Sequence, residues 1–163
     1  MFDVAVTYLL DRRDGRDCVL LGEKRRGIGV GKVVAPGGKA EPGETPAQTA
    51  IREVAEEVGL VVETQALTQV GEISYPFLGR EELSQRSFVF VAREFSGELN
   101  ASRELDASWV ALEDIPYERM WADARLWLPR ALSGGFVRAT ISIGEDNEVL
   151  EASFHEGDAD SLI

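Results

Sequence analysis

Apolar residues recur along the chain in short, β-prone runs that alternate with polar or glycine-rich segments. Two such runs, residues 4–10 and 18–21, flank the polar segment 11–16, which has the composition of a turn. We therefore predict that the chain begins with a β-hairpin. Cys18, the only cysteine in the sequence, falls within the second run, and we expect it to be buried in a strand.

A helix is predicted from Thr45 onwards because its start carries three separate signals. Thr45 suits the N-cap, Pro46 suits the first helical position, and Gln48 lies three residues after the cap, where it completes a capping box. Apolar residues then recur at helical spacing as far as Val58, and Gly59 provides the C-terminal stop.

The rest of the chain contains mostly strand-like runs. We predict strands at residues 61–70, 72–77, 87–92 and 107–112, a turn at 78–81, a second helix near 122–132, and a last hairpin formed by 136–143 and 149–154. Many strands with few helices indicate a mixed sheet. With 163 residues and 44% apolar content, the chain suits one domain, which we place at residues 1–155, followed by a tail at 156–163.

The charge and hydropathy of the chain limit its partners. A net charge of -12 argues against a nucleic-acid polymer, because affinity for phosphate backbones comes largely from Lys and Arg. No window approaches the roughly eighteen apolar residues of a membrane-spanning helix, so we expect no membrane partner and a cytoplasmic location. A small phosphorylated molecule suits this charge, because a divalent metal can neutralise carboxylates and phosphates together. The oligomeric state is left open.

The predicted helix carries an anionic stripe beside an apolar one. With Glu53 at zero on a helical wheel, Glu57 lies at roughly 40° and Glu56 at roughly 300°, while the apolar residues lie between roughly 60° and 160°. The clustered carboxylates favour a compensating cation, for which Mg²⁺, with Mn²⁺ as a substitute, is the natural candidate because it prefers oxygen ligands. An isolated glutamate-rich stretch is more often a solvated helix face, so the surrounding residues have to distinguish the two interpretations.

The surrounding residues follow a long and specific pattern. Residues 38–60 fit G-x5-E-x7-R-E-U-x-E-E-x-G-U, where U is an apolar residue, at every specified position. This pattern resembles the Nudix box. The resemblance implies an α/β (α+β) fold, an α/β/α sandwich around a mixed sheet, and hydrolysis of a nucleoside diphosphate linked to another moiety. It also implies that Glu44 and Arg52 pair and brace the loop of the box against its helix.

The resemblance assigns roles to the glutamates of the helix. By their positions in the box, Glu53, Glu56 and Glu57 would bind the metal, with the carbonyl group of Gly37 as an additional ligand. The metal would acidify a bound water that attacks phosphorus, and a carboxylate would take the proton from that water. We name Glu56 first and Glu53 second for that role.

Beyond the box, the chain resembles the human-type MutT homologues, which are 8-oxo-dGTP diphosphatases. The segments that carry this resemblance are residues 20–27, 36–39, 115–116 and 120–129. By that resemblance, Trp121 would stack on a purine, Asp123 would hydrogen-bond the edge of the base, and Lys24 would reach a phosphate or line the pocket. Taken alone, a Trp in this context is more often a core residue than a platform for a base. Asp123 could equally be a favourable charge at a helix N-terminus, and Lys24 could equally be solvated surface.

Further positions match that family and two depart from it. Tyr75 and Phe77 match aromatic wall positions, although strand alternation gives them core packing as an equal alternative, and Glu104 matches an outlying metal-binding glutamate. Val34 replaces an Asn that contacts the oxidised base, and Ala124 replaces the second of two paired aspartates. Because a site without such polar partners cannot discriminate by them, selectivity for 8-oxoguanine is the part of the inference that these two positions weaken.

The sequence thus predicts Mg²⁺-dependent hydrolysis of a purine nucleoside triphosphate, ordinary or oxidised, to the monophosphate and pyrophosphate. Its partner would be a small-molecule nucleotide. The alternative is a Nudix hydrolase of another nucleoside diphosphate derivative, such as a nucleotide sugar or a dinucleotide. A non-catalytic, nucleotide-binding Nudix domain is a third interpretation, against which the intact glutamates argue.

Overall fold

The structure is a computed structural model that describes residues 1–155, so the predicted tail lies outside the described residues. Two α-helices and a set of strands make up the regular structure of this range. The helices are α1 (Pro46–Val58) and α2 (Ala124–Leu132). The strands are β1 (Phe2–Arg13), β2 (Arg16–Lys24), β3 (Val33–Val34), β4 (Gly37–Lys39), β5 (Leu60–Val61), β6 (Leu67–Tyr75), β7 (Gln85–Ala92), β8 (Ser96–Gly97), β9 (Leu105–Ala111), β10 (Val137–Ile143) and β11 (Val149–Phe154).

Most of the strands form one large mixed sheet. Its order is β11-β10-β6-β7-β1-β2-β3, with β4 also paired to β1 and β9 to β2. Strand β1 runs parallel to β7, and β10 runs parallel to β6, whereas β6 and β7 are antiparallel. The prediction of a mixed sheet in an α+β fold is confirmed. Strands β5 and β8 pair separately.

Side-chain alternation along β1 separates the two faces of the sheet. Tyr8 and Leu10 belong to a core cluster with Trp127 of α2. Leu9, which points to the other face, packs in a second cluster with Val54 of α1. Because neighbouring residues of a strand face opposite ways, α1 and α2 cover opposite faces and the chain forms an α/β/α sandwich.

The predicted helix is confirmed at both ends as α1. Its capping box is complete: the Gln48 backbone N–H donates to Thr45 Oγ1 at 3.2 Å, and the Thr45 N–H donates to Gln48 Oε1 at 2.9 Å. At the other end Gly59 adopts φ 75°, a left-handed conformation, and its N–H donates to the carbonyl of Ala55 at 3.1 Å. These local signals fix where the helix begins and ends.

The first hairpin is confirmed, but its predicted turn at residues 11–16 is too long. The strands continue to Arg13 and resume at Arg16, so only Asp14 and Gly15 form the turn, both with positive φ. That geometry is typical of a two-residue hairpin turn. Polar residues 11–13 and 16–17 pair as strand because main-chain hydrogen bonds do not depend on side-chain polarity.

We predicted two strands, at 61–70 and 72–77, and the boundary predicted between them is wrong. A short β5 is followed by a 3-10 turn at Thr64–Ala66, and a single β6 then runs past the position where we expected a break. Strand β6 accommodates Gly71 through an irregularity in its register with β7 between Gln69 and Gly71. The glycine therefore marks a bulge inside one strand and not the end of a strand.

The remaining predicted elements are present with small shifts at their ends. Strands β7 and β9 correspond to 87–92 and 107–112, α2 begins two residues later than expected, and the last hairpin consists of β10 and β11. Cys18 is buried in β2 as predicted. No helix in the range 1–155 is long and apolar enough to cross a bilayer.

Candidate active site

Strand β4, which precedes α1, is shaped to accept carboxylates from the helix. The Gly37 backbone N–H donates to Glu57 Oε1 at 2.7 Å. At Gly38 even a methyl side chain would come within 2.5 Å of Glu53 Oε1, so the glycine leaves the space that this carboxylate occupies. The first glycine of the box thus has a steric function that follows from its contact with the helix.

Glu53 and Glu57 meet a third carboxylate from a distant part of the chain. Oxygen atoms of Glu53, Glu57 and Glu104 lie within 4.8 Å of one another, and we call these three residues the carboxylate group. Strands β2 and β9 pair with Lys24 opposite Leu105, and Glu104 immediately precedes Leu105. This pairing brings Glu104 close to the helix. An arrangement of three carboxylates at this separation offers the oxygen donors that hard divalent cations prefer.

Burial raises the pKa of both helix carboxylates in this group. The pKa of Glu57 rises to about 8, chiefly because burial disfavours its charged form, although the Gly37 N–H lowers it; Glu53 and Glu104 raise it further. The pKa of Glu53 also rises, again mainly through burial and against the effect of Arg52. Three carboxylates this close together, two of them buried, are compensated by a bound cation, so the residues present fit a divalent metal.

Arg52 ties the loop of the box to its helix. Its Nε and Nη2 donate to the two carboxylate oxygens of Glu44 at 2.7 and 2.9 Å, a bidentate pair, and Nη2 also donates to the Lys39 carbonyl at 3.0 Å. Its Nη1 donates to Glu53 Oε1 at 2.8 Å. These hydrogen bonds lower the pKa of Glu44 to about 2, with Arg52 as the main cause and the Glu41 N–H next. Arg52 and Glu44 therefore pair as the resemblance implied.

Glu56 stands apart from the carboxylate group in the described chain. Its side chain is 58% exposed and lies 3.2 Å from Arg52 Nη1. The helical wheel explains the difference, because Glu57 lies next to the apolar stripe whereas Glu56 lies on the flank that faces away from it. The structure brings Glu53 and Glu57 together with Glu104, and places Glu56 at the solvent side of Arg52.

An aromatic cavity of about 380 Å³ opens beside the carboxylate group. Glu57 itself is part of its wall, so the two features are contiguous. All six predicted substrate-binding residues line this cavity: Lys24, Val34, Tyr75, Phe77, Trp121 and Asp123. Residues that we did not predict to bind substrate also line it, among them Tyr8, Ile28, Met120, Ala124 and Trp127. A volume of this size suits a small organic ligand.

Asp123 is held at the floor of the aromatic cavity by two donors. Its Oδ2 accepts from the Tyr75 hydroxyl at 2.7 Å and from Trp127 Nε1 at 2.8 Å, and the residue is buried. It precedes α2 but its side chain makes no capping hydrogen bond to the helix. Its main partners are therefore in the cavity, and Tyr75 contributes its hydroxyl as well as its ring.

Trp121 forms a wall of the cavity with support from two sides. Phe77 meets it edge to face with ring centroids 6.1 Å apart, and the ammonium of Lys32 lies 5.5 Å from its ring centroid. Gly29, with φ 81°, lies so close that a methyl group there would be 2.8 Å from the indole nitrogen. The segment 25–32, which connects β2 to β3 and contains three glycines, thus packs against Trp121 through Gly29 and Lys32.

The remaining sequence-predicted residues also lie at this site. Lys24 lines the cavity and lies near enough to Glu57 to lower its pKa. Val34 and Ala124 contribute apolar wall where the human-type family has polar groups. The structure therefore collects every predicted substrate-binding position around one cavity.

Three polar residues of the site were missed at the sequence level. Thr49 donates from Oγ1 to Glu44 at 3.0 Å, Trp127 donates to Asp123, and Tyr8 lines the cavity. The spacing of four residues between Asp123 and Trp127 on a helix was the available signal for that pair. For Tyr8 the only sequence signal is a polar aromatic residue within an apolar strand.

The site combines carboxylates on α1 and just before β9 with an adjoining aromatic cavity. It is built on a mixed sheet that helices cover on both faces. With the box of residues 38–60, these features define the class to which the protein belongs. A family model described as NUDIX domain matches residues 1–131. The chain belongs to the NUDIX family, and the resemblance inferred from residues 38–60 is confirmed.

Relatives of known name agree with this assignment. The chain is 42% identical over 127 residues to an oxidized purine nucleoside triphosphate hydrolase of Danio rerio, covering 78% of each chain. It is 36% identical over 141 residues to the protein of the same name from Mus musculus, covering 86% of this chain and 88% of the relative. The crystal structure of a MutT mutator protein from Bacillus halodurans superimposes with a TM-score of 0.78 at 28% identity, covering 94% of this chain and 97% of that one.

Proposed function

We propose that the protein hydrolyses a purine nucleoside triphosphate, ordinary or oxidised, to the monophosphate and pyrophosphate in a metal-dependent reaction. The observation that carries this proposal is that Glu57 belongs both to the carboxylate group and to the wall of the aromatic cavity. A nucleotide with its base in the cavity would therefore have its phosphates beside the carboxylates. The names of the Danio rerio and Mus musculus relatives support the same substrate class.

We propose Mg²⁺, with Mn²⁺ as a substitute, as the ion at the carboxylate group, with the Gly37 carbonyl as an additional ligand. When bound, a divalent ion offsets phosphate charge and acidifies a bound water. Glu56 is our remaining proposed ligand, and it would join the ion by releasing Arg52, to which it is now bound at 3.2 Å. Lys24, on the cavity wall near Glu57, would offset the charge of a phosphate.

A carboxylate of α1 would take the proton from the attacking water. We propose Glu56 first, because its exposed side chain is open to solvent, and Glu53 second, because its carboxylate belongs to the carboxylate group beside the proposed ion. Arg52, which donates to both, would position them. Replacing Glu56 with Gln should abolish most of the metal-dependent turnover if this order is correct, and an unchanged kcat would reject Glu56 as the base.

The aromatic cavity would hold the purine. We propose that Trp121 stacks on the base, that Phe77 and Tyr75 complete the wall, and that Asp123 accepts a hydrogen bond from the edge of the base. Base stacking on an aromatic side chain contributes about 1–3 kcal/mol and does not depend on the identity of the base. Stacking would therefore supply affinity, and polar groups around Asp123 would supply selectivity.

The test is a substrate screen with product analysis. Purified protein with Mg²⁺ is incubated with ordinary and oxidised purine nucleoside triphosphates, a nucleotide sugar and a dinucleotide, and free phosphate and pyrophosphate are both measured. We expect monophosphate and pyrophosphate from the purine triphosphates. Intact triphosphates, or turnover of the nucleotide sugar or dinucleotide alone, would contradict the proposal, and release of phosphate in place of pyrophosphate would show attack at a different bond.

A further inference from the structure

Thr49 is a polar residue on the buried side of α1, where 0% of its surface is exposed. Its Oγ1 lies 3.0 Å from Glu44 Oε1 and 3.2 Å from the carbonyl oxygen of Thr45. Because a hydroxyl has a single hydrogen, it donates to one of these acceptors at a time. The Thr45 carbonyl already accepts from the Thr49 backbone N–H at 3.0 Å, whereas the Glu44 oxygen is closer to the hydroxyl and charged. The hydroxyl therefore donates to Glu44.

Glu44 in turn fixes the plane of the Arg52 guanidinium. Its Oε1, the oxygen that Thr49 contacts, accepts from Arg52 Nη2 at 2.9 Å, and its Oε2 accepts from Arg52 Nε at 2.7 Å. A guanidinium is planar and rigid, so two hydrogen bonds along one edge also set the position of its third nitrogen, Nη1. That nitrogen donates to Glu53 Oε1 at 2.8 Å. A displacement of the Glu44 carboxylate would therefore be passed to Glu53, a member of the carboxylate group.

Thr49 differs from the other donors to Glu44 in where it is held. The Glu41 N–H, which donates to Glu44 Oε1 at 2.8 Å, belongs to the exposed segment 41–43. Arg52 donates through a long side chain whose own position depends on Glu44. Thr49 carries its hydroxyl on a short, β-branched side chain at an enclosed helix position, which leaves it little freedom. Its hydrogen bond thus ties the Glu44 carboxylate directly to the body of α1.

We propose that Thr49 is a positioning residue: its hydroxyl anchors Glu44 to α1 and so, through the plane of Arg52, holds the Glu53 carboxylate in place for the metal. The proposal rests on the proposed function, in which Glu53 binds the ion. Thr49 is neither a member of the carboxylate group nor a lining residue of the aromatic cavity. Loss of its hydroxyl should therefore weaken metal affinity and leave the binding of the base unchanged.

The test compares Thr49→Val with Thr7→Val by titration calorimetry of Mn²⁺ and of dGMP. Valine keeps the shape of threonine and removes the hydroxyl. Thr7 is a matched control because it is the other buried threonine of residues 1–155, at 1% exposure, and its hydroxyl has no hydrogen-bond partner in that range. For Thr49→Val we expect the Kd for Mn²⁺ to rise roughly 3- to 10-fold, less than the 10- to 100-fold typical of residues that contact a metal ligand directly, with the Kd for dGMP unchanged. Thr7→Val should match the wild type with both ligands, and Thr49→Ser, which keeps the hydroxyl, should recover most of the Mn²⁺ affinity.

A double-mutant cycle with Glu44→Ala tests the route by which Thr49 acts. In that background Thr49→Val should cost no further Mn²⁺ affinity, because the carboxylate that the hydroxyl anchors is gone. A further loss of the same size would overturn the proposal, since a general packing defect would add to the effect of Glu44→Ala. An unchanged Kd for Mn²⁺ in Thr49→Val, or an equal loss in Thr49→Ser, would overturn it as well.

The metal titration also separates this proposal from the proposed function. A wild type that binds Mn²⁺ but hydrolyses no triphosphate rejects the proposed function, yet a weaker Mn²⁺ affinity in Thr49→Val that Thr49→Ser recovers still supports the role of Thr49. Turnover of triphosphates by a wild type whose Mn²⁺ affinity Thr49→Val retains rejects the role of Thr49 alone. A wild type that binds no Mn²⁺ rejects both.

Discussion

The carboxylate group and the aromatic cavity are contiguous but are built in different ways. Around the carboxylate group, charged side chains form ion pairs with one another, and Arg52 alone contacts Glu44, Glu53 and Glu56. These residues come from one helix and the segment just before it. Besides Glu57, which it shares with the carboxylate group, the aromatic cavity has one buried carboxylate among its described lining residues, Asp123, which lies among rings drawn from distant strands and from the segment before α2. Short-range sequence thus specifies the first region, and tertiary packing assembles the second.

This difference indicates that the two regions have separate functions, one in catalysis and the other in binding the base. A charged network that a continuous motif positions depends on several linked residues at once, so a change in one of them disturbs the others. A cavity whose polar groups come from separate elements can change one residue at a time, as Val34 and Ala124 illustrate. We therefore expect substitutions in the carboxylate group to affect kcat and substitutions in the aromatic cavity to affect KM and base preference.

The largest expected effect follows replacement of Glu57 with Gln. This change replaces a proposed metal-ligand carboxylate with an amide while preserving the size of the side chain. Because loss even of a residue that only orients a metal ligand typically costs about 10- to 100-fold, we expect kcat to fall by roughly 100-fold or more. The measurement is pyrophosphate release as a function of Mg²⁺ concentration. Glu94→Gln, an exposed change outside both regions, is the control, and comparable activity in the two variants would break the comparison.

An intermediate effect is expected from Trp121→Ala in the aromatic cavity. Loss of base stacking should raise KM by roughly 5- to 100-fold, with a much smaller change in kcat. Trp121→Phe, which keeps an aromatic face, should recover most of the affinity. A kcat that fell as far as in Glu57→Gln, with KM unchanged, would mean that the two regions do not divide their work as described.

The smallest expected effect concerns stability and Glu44. Its pKa in the folded protein is about 2, below its ordinary value of 4.5, mainly because Arg52 donates to it. A carboxylate whose pKa is lowered by folding stabilises the protein above pH 4.5 and loses that contribution as the pH falls from 4.5 towards 2. Urea unfolding at several pH values should therefore show Glu44→Gln less stable than the wild type at pH 7 and the gap closing in acid. A gap that does not depend on pH would reject the ion pair as its source.

The parts of the fold that could be predicted are those with local causes. The caps at Thr45 and Gly59 fixed α1 to the residue, because their hydrogen bonds join neighbours in sequence. The points at which strands begin and end within residues 61–77 could not be predicted in the same way, since β-propensity does not reveal which strand a segment pairs with. Strand β6 continues through Gly71 because β7 and β10 on its two sides supply partners.

The candidate site shows the same limit. The box located Glu53 and Glu57, but only the pairing of β2 with β9 places Glu104 beside them. The wheel put Glu56 in the same anionic stripe as the other two but on the flank away from the apolar stripe, and in the structure its side chain contacts Arg52. Side-chain partners across the sheet, such as Tyr75 with Asp123, leave no signal in residue spacing, because 48 residues separate the two.

Titration calorimetry tests directly whether the two regions bind their ligands independently. Mn²⁺ and dGMP are each titrated into the wild type, Glu57→Gln and Trp121→Ala. The account predicts that Glu57→Gln loses Mn²⁺ affinity and keeps dGMP affinity, whereas Trp121→Ala keeps Mn²⁺ affinity and loses dGMP affinity. Wild-type Mn²⁺ affinity in Glu57→Gln, or loss of both ligands in both variants, would contradict it.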